Sequence, residues 1–211
     1  MLSLARFHLT LTRVVHDDIE TIRQGRNQEH VRLQHIHQSA IEPAEQERWF
    51  QAINNRWNYF FVIQAGDRKV GMVYVKDFTE HMATSSCGVF IWDRATLASR
   101  VPLLAVLTVL DFFFGELRGG STESIVLRSN APAMRMNEFF DFAFADTDVP
   151  EQVRIYMDLP RYLAARERLL GVAERIIKSP AAQSLVLSGT VSALNFEVIN
   201  QRLLEQAAAQ R

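Results

Sequence analysis

The sequence predicts an α/β (α+β) protein in which a mixed central sheet is flanked by helices and followed by a C-terminal helical extension. Short runs rich in aromatic and β-branched residues, typical of strands, alternate with apolar segments of helical length. Residues 103–117 form the most apolar helical segment, and Gly119-Gly120 ends it. A helix that is apolar almost all round packs against a sheet, so strands are expected on both sides of it in the chain.

The elements follow one another with recognisable boundary signals. Before the apolar helix, the sequence predicts an opening strand in residues 1–14, a helix capped by Asp17 and Asp18, a polar stretch after Asn27, a helix over 44–54, a hairpin of 59–64 and 69–76, and a strand over 86–92. After it come a strand over 124–127, a helix over 133–140 capped by Ser129 or Asn130, strands over 142–145 and 153–159, and helices over 160–178 and 191–209.

Composition limits the classes of function. The 211 residues, 48% of them hydrophobic, are enough for one domain with an appendage. A formal charge of −1 shows no excess of basic residues, so the composition gives no indication of nucleic-acid binding. The single cysteine, Cys87, excludes an intrachain disulfide framework, fits a reducing compartment and favours a cytoplasmic protein; inside a strand it is interpreted as a small buried residue.

No membrane association is predicted. The N-terminal residues alternate polar and apolar side chains and lack the pattern of a signal peptide. The apolar run over residues 101–114 is shorter than the roughly 20 residues that span a bilayer, and Asp111 interrupts it. The phenylalanines at 112–114 and at 139, 140, 142 and 144 are interpreted as core residues rather than as an acyl-chain pocket.

Four short motifs occur in an order that points to a known family. They are Ile22-Arg23-Gln24-Gly25-Arg26-Asn27 with Val31-Arg32, the segment from Glu45 to Trp49-Phe50, the pair Val70-Gly71, and Cys87-Gly88-Val89-Phe90-Ile91. Together with the order of elements, they resemble the GNAT N-acetyltransferase superfamily over roughly residues 7–159. The nearest branch is that of the ribosomal-protein and nucleotide-aminosugar N-acetyltransferases.

The resemblance implies an acetyl-CoA site. The pantetheine arm is expected along Val89, Phe90 and Ile91, with Asn130 positioning it and Ala133 at the matching small position. The pyrophosphate is expected at the start of the next helix, where free amides and the helix dipole favour anions. The implied residues of that turn are Arg94, Ala98, Ser99 and Arg100. The turn departs from the family pattern because Leu97 replaces a glycine and Pro102 removes an amide donor.

The resemblance also implies the catalytic and acceptor positions. Asn137 stands where the family has a tyrosine that protonates the departing CoA thiolate, and an amide cannot act as that acid. His81, in the loop 77–85, is the candidate base, with a solvent-exposed loop histidine as the alternative. Arg26, Asn27 and Glu80 are the expected acceptor-binding residues; the arginines of the first helix are otherwise paired or solvated.

No metal is expected in the reaction. His30, His35 and His37 cluster in sequence, but their spacing matches no metal-ligand motif, and they are interpreted as polar residues of a substrate-covering loop.

Two hypotheses follow from the sequence. The first is an acetyl-CoA-dependent N-acyltransferase that acts on a primary amine, an aminosugar nucleotide or a protein N-terminus, by direct transfer in a ternary complex. The alternative is a catalytically inactive GNAT-like module with a binding, regulatory or assembly role. The predicted division is an acyltransferase domain at 1–159 and a helical extension at 160–211, which is expected to pack on its own sheet or to form a homodimer.

Overall fold

A computed structural model describes residues 2–55, 57–77, 84–179 and 184–188. Its strands are β1 (Ser3–Arg6), β2 (Leu9–Arg13), β3 (Tyr59–Ala65), β4 (Arg68–Lys76), β5 (Thr84–Ile91), β6 (Ser121–Leu127), β7 (Ala143–Asp146), β8 (Gln152–Asp158) and β9 (Val186–Ser188). Its helices are α1 (Ile19–Asn27), α2 (Glu29–Arg32), α3 (Pro43–Ile53), α4 (Arg94–Leu97), α5 (Val101–Asp111), α6 (Ala131–Phe139) and α7 (Leu159–Ile176). A 3-10 turn, His16–Asp18, precedes α1, and a π-helical turn, Phe112–Glu116, follows α5.

These strands form one mixed sheet in the order β7-β8-β6-β5-β4-β3-β2-β1-β9. Every neighbouring pair is antiparallel except β5 and β6, which are parallel because α5 connects them across one face of the sheet. The predicted fold class is therefore confirmed. We call residues 93–100, which join β5 to α5 and include α4, the β5–α5 turn.

The N-terminus forms a hairpin, and the prediction of a single opening strand is wrong. Phe7 and His8 adopt left-handed backbone angles, with φ of 56° and 62°. Two such residues in succession make the tight turn that suits the twist of a two-stranded hairpin, and Arg6 then pairs with Leu9. The sequence hides this turn because neither position carries the glycine or asparagine that ordinarily marks it.

Each face of the sheet is covered by its own hydrophobic cluster. On one face, α5, the π-helical turn and α7 bury side chains against the strands, and the phenylalanines at 112–114, 140 and 142 are buried there, which confirms the core interpretation for them. Phe144 is 37% exposed on the edge strand β7, so its interpretation as a core residue is wrong. On the other face, α1, α2 and α3 pack over the middle strands. A Cβ on Gly25 of α1 would lie 2.7 Å from the Trp92 ring, so this glycine lets α1 approach the end of β5.

The C-terminal part is attached to the core rather than set apart from it. Asp158 caps α7 by accepting a hydrogen bond from the amide of Arg161, and one side of α7 is buried in the main cluster. The structure differs from the all-helical expectation at β9, which pairs antiparallel with β1 and extends the sheet. The predicted helix over 191–209 lies outside the described residues, and the division at residue 159 stays a prediction. No described helix is long and apolar enough to cross a membrane.

Candidate functional site

The edge of β5 that faces β6 is open over most of its length. The two strands pair in parallel over only two residues at the start of each strand. From Gly88 onward β5 remains paired with β4 on its other side. In the described structure, the backbone groups that this stretch directs towards β6 therefore have no ladder partner. We call the opening between Gly88–Ile91 and β6 the β5 groove; it includes Val89, Phe90 and Ile91, where the resemblance places the pantetheine arm.

A hydroxyl bridge fixes the point at which the two strands part. Ser124 on β6 donates a hydrogen bond to the carbonyl oxygen of Cys87, at 2.8 Å. Its oxygen also lies 2.8 Å from the hydroxyl of Ser86. Burial raises the pKa of the Cys87 thiol to about 12, so the thiol stays neutral and does not act as a nucleophile. The bridge therefore closes the inner end of the β5 groove and leaves its outer end open.

The backbone amides of the β5–α5 turn are largely occupied within the turn. Asp93 caps α4, since its carboxylate accepts from the amide of Ala95 and its carbonyl accepts from that of Thr96. The amide of Ser99 donates to the Thr96 carbonyl at 3.0 Å. The amide of Val101, at the start of α5, donates to the Ser99 hydroxyl at 3.2 Å. A phosphate-binding turn needs such donors free, so this turn offers few backbone groups to an anion.

The side chains of the β5–α5 turn offer a different means of binding phosphate. Arg94, Ala98, Ser99 and Arg100 are all exposed, and Leu97 is 46% exposed. Arg94 and Arg100 form no ion pair with a described carboxylate, whereas Asp93 is paired with Arg68 on β4. Two exposed guanidinium groups near the outer end of the β5 groove suit the bidentate binding of phosphate oxygens.

The start of α6 lies beside the groove, and two asparagines there have different roles. Asn130 caps the helix, because its Oδ1 accepts from the amide of Ala133 at 3.1 Å. Its Nδ2 donates to the carbonyl of Gln34 at 3.2 Å, which ties α6 to the loop after α2. Asn137, at the family tyrosine position, donates to the Ala133 carbonyl of its own helix at 2.9 Å. Its amide is engaged in backbone bonding and carries no acidic proton.

Residues 28–42, which we call the covering segment, are held by the end of α1. Arg26 donates from Nη2 to the carbonyl of His37 at 2.8 Å. Asn27 forms a two-way bond with Ile41, donating to its carbonyl at 2.9 Å and accepting from its amide at 2.8 Å. Two of the three residues predicted to bind the acceptor, Arg26 and Asn27, therefore anchor the covering segment, and their acceptor role stays a prediction.

Two histidines of the covering segment lie close to the end of β5. The ring of His35 meets that of Phe90 edge-on, with centroids 5.5 Å apart. Burial, assisted by the nearby Arg26 charge, lowers the pKa of His35 to about 4, so the ring is neutral at physiological pH. Burial and then the charge of Arg94 also lower the pKa of His30. Within the described ranges, no group of three His, Cys, Asp or Glu side chains is arranged to hold a metal ion.

One residue of the site was missed by sequence reasoning. Tyr74 on β4 pairs directly with Gly88, and a Cβ on that glycine would lie only 2.3 Å from the Tyr74 hydroxyl oxygen. The ring stacks on Phe60 with centroids 5.0 Å apart. Burial raises the pKa of Tyr74 to about 12. The sequence feature that could have identified Tyr74 is its pairing with Gly88 on the neighbouring strand. This pairing depends on the register of β4 against β5, which the sequence between the two strands does not reveal.

The remaining predicted site residues are His81 and Glu80. Both lie outside the described residues, so their roles as base and acceptor ligand stay predictions.

A cavity of about 520 Å³ lies at the opposite end of α5 from the β5–α5 turn. It is lined by Arg6, Asp111, Tyr162 and Arg166 among others. The buried Asp111 carboxylate accepts hydrogen bonds from both arginines and from Tyr162, whose hydroxyl is 2.6 Å away. These groups join α5 to β1 and α7, so we interpret the cluster as an anchor for the helices.

Comparison with solved structures identifies the fold. FdhC, described as a nucleotide-linked sugar GNAT, superimposes with a TM-score of 0.66 at 19% identity, covering 79% of this chain and 95% of its own. Spermidine N-acetyltransferase from Vibrio cholerae, solved with CoA and spermine, gives 0.62 at 17% identity, covering 74% and 98%. RimJ from Mycobacterium smegmatis, solved with CoA-disulfide, gives 0.64 at 14% identity, covering 82% and 93%.

These similarities confirm that the chain has the GNAT fold, as the sequence motifs implied. The match extends over nearly the whole of each solved chain. At the level of sequence, no protein-family model and no curated protein matches. The fold is thus retained with a sequence that has diverged widely from these proteins.

Proposed function

We propose that this protein is an N-acyltransferase that uses acetyl-CoA to acylate a primary amine. The observation that carries the proposal is the β5 groove, a strand edge left open beside the capped start of α6. Such an edge offers backbone donors and acceptors to the amides of a pantetheine arm, in the manner of an added strand. In this proposal Asn130 lies next to the arm, and Arg94 and Arg100 contact the pyrophosphate.

The reaction is a direct transfer within a ternary complex. The amine nitrogen attacks the thioester carbonyl carbon, the C–S bond breaks, and CoA leaves as its thiol. No metal is needed for this chemistry, because the thioester is already activated and the amine only has to be neutral. The neutral residues around the inner end of the groove would favour the neutral form of an amine, since burial disfavours a charged one.

An aminosugar nucleotide is our first choice of acceptor, and a protein N-terminus is the second. One neighbour in structure is described as a nucleotide-linked sugar GNAT and another was solved with spermine, so both are linked to small amine or sugar ligands. In this chain, Nη1 of Arg26 is buried and has no hydrogen-bond partner among the described residues. A buried donor of this kind favours an acceptor that carries phosphate or several hydroxyl groups.

A second candidate function is supported by the β5–α5 turn. Several of its amides are bonded internally, and Asn137 cannot supply the proton of the family tyrosine. Both features favour a GNAT-like module that no longer uses the coenzyme and has a binding, regulatory or assembly role. Under this alternative the groove is a remnant of the fold, and α7 with the residues after it forms the interaction surface.

Calorimetric titration with acetyl-CoA and with free CoA separates the two candidates. We expect saturable binding of both, weakened by Arg94→Ala and unaffected by Arg175→Ala, which removes an exposed arginine from α7. Thiol release from acetyl-CoA is then measured with a panel of aminosugar nucleotides, polyamines and N-terminal peptides. Absence of binding at millimolar coenzyme contradicts the enzyme proposal. Binding without turnover of any amine favours the second candidate.

A further inference from the structure

Acyl transfer from CoA needs an acid close to the departing sulfur, and the family position for it is filled by Asn137. We propose that the hydroxyl of Tyr74 supplies the proton to the CoA thiolate instead, from strand β4 rather than from helix α6. This inference rests on the proposed acyltransferase function and assigns a catalytic residue to it.

The position of Tyr74 along the sheet brings its hydroxyl to the expected sulfur end of the pantetheine arm. The pyrophosphate is expected at the β5–α5 turn, so the arm runs back along β5 and its sulfur end reaches the neighbourhood of Gly88. Tyr74 pairs with Gly88, and its hydroxyl oxygen occupies the space that any side chain there would fill. The only residue that permits this placement is glycine. The phenol therefore lies over the backbone at the inner end of the groove, on the face covered by α1–α3.

The Tyr74 hydroxyl also forms no hydrogen bond that would give it a role in stabilising the described fold. Stacking on Phe60 holds the ring, and among the described residues no group hydrogen-bonds the phenol oxygen. A tyrosine hydroxyl inside a protein usually finds a partner, as that of the buried Tyr162 does with Asp111. The neighbouring Arg26 likewise has a buried Nη1 without a hydrogen-bond partner. Two adjacent donors left without acceptors are what a ligand carrying acceptor atoms would require.

The electrostatic surroundings suit an acid that gives up its proton only briefly. Burial, followed by the proximity of Cys87 and Asp77, raises the pKa of Tyr74 to about 12, so the phenol is protonated at physiological pH. Arg26 acts in the opposite direction and stabilises a phenolate. The proton is thus available throughout the relevant pH range, and a positive charge is present when it leaves.

The proposed proton transfer from Tyr74 belongs to the second half of the reaction, when the sulfur leaves. The neutral amine attacks the thioester carbonyl, and the tetrahedral intermediate expels sulfur as its C–S bond breaks. The Tyr74 O–H proton moves to that sulfur and yields CoA-SH. The proton lost by the nitrogen returns to the phenolate through solvent, which leaves the amide product and the original phenol.

The test compares Tyr74→Phe with Tyr59→Phe. Both changes remove one tyrosine hydroxyl, but Tyr59 belongs to the cluster on the opposite face of the sheet. For Tyr74→Phe we expect kcat to fall by about 100-fold, the usual contribution of a positioned acid, while KM for acetyl-CoA and the affinity for CoA stay unchanged. Tyr59→Phe keeps its kcat. Thermal unfolding of both variants checks that the fold is retained, which the ring of phenylalanine favours.

Each outcome decides the inference. Turnover by Tyr74→Phe at the wild-type rate, with an active parent protein, overturns the role of Tyr74 and leaves the acyltransferase proposal standing. A fall in CoA affinity equal to the fall in kcat shows a binding role and also overturns it. A wild-type protein that neither binds CoA nor releases thiol contradicts the proposed function, and the role of Tyr74 fails with it.

Discussion

The β5 groove and the β5–α5 turn are adjacent halves of one candidate site, and they fit the proposed coenzyme to different degrees. The groove requires only that two parallel strands part after a short pairing, and this geometry survives when side chains change. The turn requires free amides and glycines that let phosphate approach, and both depend on sequence. Backbone recognition therefore tolerates divergence in a strand better than in a turn.

The β5–α5 turn is stabilised by hydrogen bonds and an ion pair of its own. Asp93 is its centre, accepting from two groups of α4 and pairing with Arg68 on β4. A turn organised around an internal carboxylate is rigid without a ligand, but it repels an anion. The exposed Arg94 and Arg100 are then the groups that have to attract phosphate, and their contribution is more sensitive to salt than that of buried amides.

The largest expected effect comes from Asp111, because α5 supports both the groove and the turn. Removing the buried partner of Arg6 and Arg166 with Asp111→Asn is expected to lower the free energy of unfolding by about 3 kcal/mol, as for other broken buried ion pairs. Chemical denaturation measures it. The control is Asp146→Asn, which breaks an exposed pair with Arg128 and is expected to cost less than about 1 kcal/mol.

The same carboxylate gives a pH dependence with a defined sign. Burial alone would raise the pKa of Asp111, but hydrogen bonds from Arg166, Tyr162 and Arg6 outweigh it and hold the pKa below the ordinary value. Its stabilisation is therefore complete above the pKa of an unfolded aspartate and is lost as pH falls through the lowered native value. Denaturation at several acidic pH values should show a shallower decline for Asp111→Asn; parallel declines would contradict this.

Next in size is Gly88→Ala, which tests the groove. The added Cβ would lie 2.3 Å from the Tyr74 hydroxyl, so the ring has to move. We expect kcat to fall by about 100-fold, like that of Tyr74→Phe, because the acid is displaced. Gly115→Ala, at a position where a Cβ meets nothing within 4 Å, serves as the matched control. Equal kcat values for the two variants would show that the space over residue 88 is not needed.

A smaller effect is expected in the turn from Arg94→Ala and Arg100→Ala. Each removes a charged donor, and the loss should be about tenfold in CoA affinity, since a hydrogen bond to a charged group is worth roughly 1.5–3 kcal/mol and these groups are exposed. Affinity for a pantetheine fragment without phosphate should stay the same. Titration at two salt concentrations should show a weaker salt dependence in each variant. An equal loss of affinity for CoA and for the pantetheine fragment would show that the arginines do not contact the phosphates.

The smallest effect is expected from Leu97→Gly, which restores the family glycine. If side chains bind the phosphate, this change alters CoA affinity less than Arg94→Ala does, because the neighbouring amides remain bonded to Asp93 and Thr96. A large gain in affinity would contradict the comparison and show that access to the backbone is the limiting factor. The control is Leu97→Ala, which removes most of the side-chain bulk without giving the backbone the freedom of glycine.

Local signals in the sequence were sufficient for much of the fold and for part of the site. Ser129 or Asn130 was predicted to cap this helix, and Asn130 caps α6, because its side-chain oxygen accepts from an amide of the first turn. The turn at Phe7 and His8 could not be predicted, since its residues carry no turn signal. Tyr74 was missed because strand register decides which side chains meet, and the register depends on a loop whose conformation the sequence pattern does not specify.

By itself, the sequence predicted the class of fold, the order of most of its elements and a β5–α5 turn that lacks the glycines of the family, because periodicity, capping residues and missing glycines act over a few neighbouring positions. Only the tertiary structure decided that Arg26 and Asn27 hold the covering segment, that several amides of the turn are internally bonded, and that a tyrosine lies over Gly88. These facts depend on contacts between residues distant in the chain, whose free energies are set by packing and burial rather than by local preference.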